Sequence, residues 1–215
     1  MTTNEHQAEH STPRPRRYNS TLRQRRAEET RERIINAATE LFAQRGWSVG
    51  MREIAAEAGV AFDTVYATFK SKSRLLNEVL DVGVVGDTRP IALADRPEFA
   101  ALATGTLRER AAAGAALTTA VNVRTTGLRR ALAEGAASDP DLALRLDAGR
   151  RAQRRDVYEA GAAIAGRELT PDEGDGLWAV VTMEVYDLLT TNAGWSAKRY
   201  EKWLTEMILK LLTIE

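Results

Sequence analysis

The chain has 215 residues, 44% hydrophobic and 28% charged, a composition ordinary for a globular protein with a sizeable core. Its 30 basic and 30 acidic side chains cancel, and the absence of cysteine excludes a disulfide framework and any thiolate metal site. The only histidines, His6 and His10, fall in a polar N-terminal stretch, which argues against a metal or acid–base centre built on imidazole.

No run approaches the roughly 18 consecutive apolar residues that span a bilayer. The arginine-bearing N-terminus lacks the apolar segment of a secretory signal. A cytoplasmic protein without metal or cofactor is expected. The zero net charge hides an asymmetry. Residues 1–74 carry 13 Lys/Arg against 9 Asp/Glu, whereas residues 75–215 carry 17 against 21. Between Ser11 and Arg33, eight arginines face three glutamates. A basic end on an otherwise acidic chain suits contact with a phosphate backbone.

In chain order, residues 1–20 are polar, contain Pro13 and Pro15, and show no apolar period, so a disordered basic arm is expected there. From Thr21 a helix is predicted, with Ile34, Ala37, Ala38, Leu41 and Phe42 at helical spacing and Gly46 as its stop. Met51–Ala58 and Ala61–Phe69 read as two short helices separated by Gly59, and a further helix runs from Ser73 to about Gly86. Asp87–Pro97 holds two prolines, Pro90 and Pro97, shows no apolar period and reads as a linker.

A short helix is expected at Pro97, then a long Ala-rich one from about Thr106 to Glu134. Ser138-Asp139-Pro140 restarts the chain for a helix to about Ala165. Thr170-Pro171-Asp172-Glu173 supplies a capping box for one continuous helix ending near Gly194. Ser196 caps the last helix, whose stripe is Tyr200, Trp203, Leu204, Met207, Ile208 and Leu211. Nothing reads as a strand, so the fold class is all-α.

The pair at 51–69 has the makings of a helix-turn-helix, whose second helix enters the major groove. Ala55 and Ala58 are small enough for close crossing, and Gly59 permits a left-handed turn. Ile54, Val60, Val65 and Phe69 can form the core beneath, leaving Phe62, Asp63, Thr64, Tyr66, Ala67 and Thr68 facing out. Phe62 can pack on a thymine methyl and Asp63 can accept from a cytosine amine. Arg14, Arg16, Arg17, Arg23, Arg25 and Arg26 are candidates for a minor-groove arm.

At these residues the chain resembles the TetR family of regulators (TetR/AcrR type). The matching run is Gly46-Trp47, then Met51 through Val60, then Thr64-Val65-Tyr66-Ala67-Thr68-Phe69-Lys70-Ser71-Lys72-Ser73-Arg74-Leu75-Leu76. The resemblance is specific over about residues 25–80. It implies an all-helical homodimer of about nine helices per subunit that represses promoters until a small molecule binds. It further implies phosphate contacts from Thr64, Tyr66 and Lys72, with Ser48, Arg52, Ala61 and Lys70 completing the DNA-facing set. Two positions depart from the family pattern. Gly50 stands where Thr or Ser usually precedes the first short helix, and Ala61 stands where Ser usually opens the recognition helix.

Three segments are thus expected: the arm at 1–20, a helix-turn-helix domain at 21–70, and a helical ligand-binding and dimerisation domain at 71–215. In the last, Arg124 interrupts the stripe Leu117, Val121, Leu128, and Glu184 interrupts Leu177, Val181, Leu188. Buried charges need partners. Arg124 and Glu184 are therefore expected to meet each other or a ligand, in a pocket lined by Tyr158, Trp178 and Met183. The aromatic residues Trp178, Tyr186, Trp195, Tyr200 and Trp203 on the last two helices are expected at a homodimer interface.

Among other function classes, an enzyme is disfavoured because there is no phosphate loop, nucleophile elbow, metal-ligand cluster or dinucleotide fingerprint. A helical small-molecule-binding or interaction protein without DNA binding is the alternative. Salt-sensitive binding to duplex DNA separates the two. The expected partners are a palindromic double-stranded operator, a small-molecule effector and a second copy of the chain, with no membrane.

Overall fold

The first long helix, α1 (Tyr18–Arg45), carries Ile34, Ile35, Ala38 and Phe42 on one buried face. The structure, a computed structural model, describes residues 18–87 and 97–213. Arg14, Arg16, Arg17 and most of the expected arm and linker lie outside the described residues. A 3-10 turn at Gly46–Ser48 follows, then α2 (Met51–Glu57), α3 (Phe62–Phe69) and α4 (Lys72–Val85). The start of α4 is set by Ser71, whose hydroxyl accepts the Arg74 N–H at 3.2 Å. Among the described residues there are ten α-helices and no strand.

The capping signals downstream act where their residue types predict. After the short α5 (Pro97–Ala100), Thr106 and Glu109 close a capping box at the start of α6 (Leu107–Ala136). Asp139 accepts the Asp141 and Leu142 amides ahead of α7 (Pro140–Ala165), with Pro140 in the first turn. Thr170 and Glu173 form a second box at α8 (Pro171–Val181), and the Ser196 hydroxyl accepts the Arg199 amide at the start of α10 (Ala197–Thr213).

The continuous helix expected from Pro171 to Gly194 is broken. Thr182 is extended, with ψ of 152°, and caps a separate short helix α9 (Met183–Asp187), which unwinds into a π turn at Leu188–Asn192. Three carbonyls freed at the end of α8 find side-chain donors. The Thr182 hydroxyl donates to Ala179 at 3.1 Å, the Tyr200 hydroxyl to Val180 at 3.3 Å, and the Asn122 amide to Val181 at 3.3 Å. A helix end buried without such partners would be costly.

Two apolar cores share α6. One gathers α1–α4 around Phe42, Val65, Phe69, Leu75 and Leu76, closed by Leu128, Leu132 and Leu142 from α6 and α7. The other gathers α6–α10 around Ile164, Leu177, Tyr186, Tyr200 and Leu204. The division expected at residue 70 is therefore crossed by packing, since α4 belongs to the first core. At 30 residues α6 is long enough, about 45 Å, to serve both. It crosses α1 closely at Gly127, where a Cβ would stand 2.8 Å from the Ala43 Cα.

Candidate functional site

Helices α2 and α3 form the reading head. Ala55 and Ala58 are buried at their crossing, and Gly59 turns the chain at φ 64°. The Val60 amide returns to the Ala55 carbonyl at 3.0 Å, which fixes the angle between the helices. Ile54, Val65 and Phe69 are fully inside. That orientation leaves Ala61, Asp63, Tyr66, Ala67, Thr68 and Lys70 exposed on α3 and its end, with Tyr66 at 55%. Ser48 and Arg52 are exposed beside them, and Thr64 is half-buried.

Phe62 is half-buried rather than projecting. Its ring lies 6.3 Å from that of Tyr66 and under the Arg52 guanidinium at 4.6 Å. It packs against the first core while forming one wall of the outward surface. Arg23, Arg25 and Arg26, expected in an extended arm, stand on α1 instead and are exposed there.

Lys72 departs from its expected phosphate role. Its ammonium turns inward, donating to the Trp47 carbonyl at 2.6 Å and the Val49 carbonyl at 3.1 Å, and sits 3.7 Å from the Trp47 ring centroid. Burial lowers its pKa from the ordinary lysine value, and Glu53 partly offsets this. Two carbonyls at the end of the 3-10 turn need donors, and Lys72 supplies them.

The larger half holds a cavity of about 360 Å³ between α4, α6, α7 and the α8–α9 joint. Trp178, Met183 and Glu184 line it, and Arg124 and Tyr158 do not. Arg124 reaches back to the C-terminal turn of α4, donating to the Gly83 carbonyl at 2.8 Å and the Val84 carbonyl at 3.2 Å. Glu184 is 58% exposed and stands 3.8 Å from Arg150. The expected Arg124–Glu184 encounter is therefore replaced by two other engagements. Tyr158 bonds Asp175 at 2.9 Å and the Pro171 carbonyl at 3.0 Å, tying α7 to α8 away from the cavity. The cations that do line the cavity are Arg129, Arg145 and Arg150, and Arg129 is half-buried. It sits one position beyond Leu128, off the stripe that singled out Arg124, so periodicity gave no signal for it.

Residues 34–79 match the sequence profile described as "Bacterial regulatory proteins, tetR family". A stretch of 57 residues is 42% identical to the HTH-type transcriptional regulator AcrR of Shigella flexneri, covering 26% of this chain and 26% of that protein. The likeness to this relative thus spans about a quarter of its length. The fold is shared more widely. A transcriptional regulator from Rhodococcus sp. Rha1 aligns over 85% of this chain and 95% of its own, with a TM-score of 0.61 at 22% identity. Over residues 34–79 the chain is similar to the TetR family. A TetR-family member from Streptomyces coelicolor A3 aligns over 83% of this chain and 97% of its own, with a TM-score of 0.54 at 20% identity.

The two departures from the TetR pattern have physical consequences. At Gly50 the Glu53 carboxylate still accepts the Gly50 amide at 2.7 Å, so half of a capping box survives without a hydroxyl. That bond, with Arg45 next in importance, holds the Glu53 carboxyl below its ordinary pKa. At Ala61 no side chain caps α3, which forgoes roughly 1 kcal/mol of capping. Of the aromatic residues expected between TetR subunits, Tyr186 and Tyr200 are buried within the chain, edge to face at 4.9 Å. Trp195 and Trp203 remain half-buried, edge to face at 6.0 Å. No helix among the described residues is long and apolar enough to cross a membrane.

Proposed function

We propose that this chain is a TetR-family regulator, an effector-responsive repressor that binds a palindromic operator as a homodimer. The observation that carries the reading is the two-sidedness of α3. Val65 and Phe69 anchor one side in the core, while Asp63, Tyr66, Ala67, Thr68 and Lys70 stand exposed on the other. Asp63, near the start of α3, is the candidate base reader, with Phe62 offering a ring edge to a thymine methyl. Tyr66, Thr64, Thr68, Lys70, Ser48 and Arg52 are the candidate phosphate contacts.

One reading head buries too little for specific affinity, which favours a dimer spanning half-sites about one helical turn apart. Trp195 and Trp203, half-buried in a single chain, and Leu188, 59% exposed, support pairing through the C-terminal helices. Effector response is supported by α6. It lines the cavity through Arg129 and Leu132 and holds the turn that precedes the reading head through Glu134.

The test is selection from random duplex DNA at two salt concentrations, with a reporter carrying the recovered sequence. A palindrome whose affinity falls steeply with salt, and reporter expression that rises when the gene is deleted, are the expected results. Recovery of no sequence, with or without small-molecule extracts, would favour a helical binding protein that does not read DNA.

A further inference from the structure

The cavity between α4, α6, α7 and the α8–α9 joint, at about 360 Å³, lies within the roughly 300–1,000 Å³ common for small-molecule sites. Its walls include Leu80 and Val84 from α4, Leu132 from α6, Leu146 from α7 and Met183 from α9. Among the donors of this lining, one buried group and one charged group lack acceptors. The Trp178 indole N–H is buried and makes no hydrogen bond. The Arg129 guanidinium enters no hydrogen bond or ion pair among the described residues. Burial draws its pKa below the usual arginine value, with Glu184 opposing the shift from a distance and Arg145 adding to it.

The other charges of the lining are engaged or peripheral. Arg145 pairs with Asp81, and Arg150 faces Glu184 at the more exposed edge. A neighbouring cavity shares Val84, Arg129, Arg145, Gly149 and Gln153, so Arg129 stands at the junction of the two. That second space adds apolar wall from Phe99, Leu117 and Val121, with Asp81 and Asp156 also in its lining.

We propose that this cavity takes an apolar monocarboxylate, held at its carboxylate by Arg129 and Trp178 and along its body by Leu80, Val84, Leu132 and Met183. The inference rests on the reading of the C-terminal half as an effector-binding domain and names the chemistry of that effector. A guanidinium fork matches a carboxylate in shape and charge, and the indole N–H can only donate. A neutral alcohol would leave the guanidinium without an anionic partner in a partly desolvated place. A cationic ligand would meet Arg129, Arg145 and Arg150 together. A multiply charged phosphate ester would find only Arg129 uncommitted, with Glu184 nearby. The apolar walls select for a hydrocarbon or aromatic body.

The test is isothermal titration of the full-length protein with straight-chain carboxylates from hexanoate to dodecanoate and with naphthoate, each paired with the alcohol of the same skeleton. At least one carboxylate is expected to bind one per chain, and its matched alcohol at least about tenfold more weakly. Arg129→Met should lower carboxylate affinity at least about tenfold while the alcohol still binds, which shows that the variant is folded. Arg129→Lys should keep part of the preference, and Trp178→Phe should weaken the carboxylate by a smaller factor. Equal affinity for carboxylate and alcohol, or no carboxylate bound by the parent protein, overturns the proposal. No DNA enters this readout. Its failure beside a successful operator selection removes the ligand class alone, and the reverse pattern removes the regulatory reading alone.

Discussion

The backbone N–H of Trp47 donates to the Glu134 carboxylate across 2.8 Å, tying the turn after α1 to the last turns of α6. Glu134 is five positions from Arg129, so one helix carries both a wall of the cavity and a tether on the turn that precedes the reading head. The tether lies near the surface, and a hydrogen bond to a charged group there is worth about 1 kcal/mol. Glu134→Ala is therefore expected to lower the melting temperature by about 2–4 °C in a chain of this size. Glu134→Gln, which keeps an acceptor oxygen, should recover most of it. An alanine variant that melts with the parent would show that the contact carries no free energy.

Lys70 and Lys72, two positions apart, should separate cleanly by substitution. Lys72→Met orphans the Trp47 and Val49 carbonyls and removes the cation from the Trp47 face, a loss of about 2 kcal/mol. Lys70 is exposed, and its replacement by Met should leave the urea midpoint within error. It should instead weaken operator binding and reduce the salt slope by about one. Equal stability for the two variants would mean that the inward bonds of Lys72 are not formed in solution.

The reading head was legible because its determinants are local. The small residues at 55 and 58, the glycine at 59 and the buried Val65 and Phe69 lie within one short stretch and carry their geometry with them. The caps at Asp139, Thr170 and Ser196 were legible for the same reason. Roles set by distant partners were not. Arg124 is recruited by carbonyls about forty positions earlier, and Lys72 by carbonyls more than twenty positions earlier. In the sequence Arg124 looked like a partner for Glu184 or a ligand, and Lys72 like a phosphate contact. Arg129 was missed because it lies beside the apolar stripe, and only the packing of α4 and α7 encloses it.

Glu173 gives a pH signature. It is buried, 9% exposed, and the Arg167 guanidinium holds its pKa at about 2, with the Thr170 amide assisting. A folded pKa below the ordinary 4.5 means that the unfolded chain binds the proton more readily. The stabilisation is thus fully present above the unfolded pKa and is lost as pH falls from about 4.5 toward about 2. Glu173→Gln keeps a capping oxygen but removes the charge. It should be less stable than the parent at neutral pH, with the difference narrowing through that acid window. Urea titrations across the range check this, and a difference independent of pH would assign the loss to packing instead.

The interruption at Thr182 is held from outside its own segment, which makes it sensitive to a residue 60 positions away. Asn122 is buried on α6 and supplies the only side-chain donor to the Val181 carbonyl among the described residues. Asn122→Leu keeps the branched outline of the side chain but leaves that carbonyl unpaired, at a cost of about 1–3 kcal/mol. The Val180 carbonyl keeps its bond from Tyr200 and the Ala179 carbonyl its bond from Thr182, so the end of α8 should loosen rather than reseal as a straight helix. Hydrogen exchange should then quicken from the end of α8 through α9, while α2 and α3 stay protected as in the parent. Slower exchange across Thr182 would show the opposite: that Asn122 forces a break which the segment alone would close.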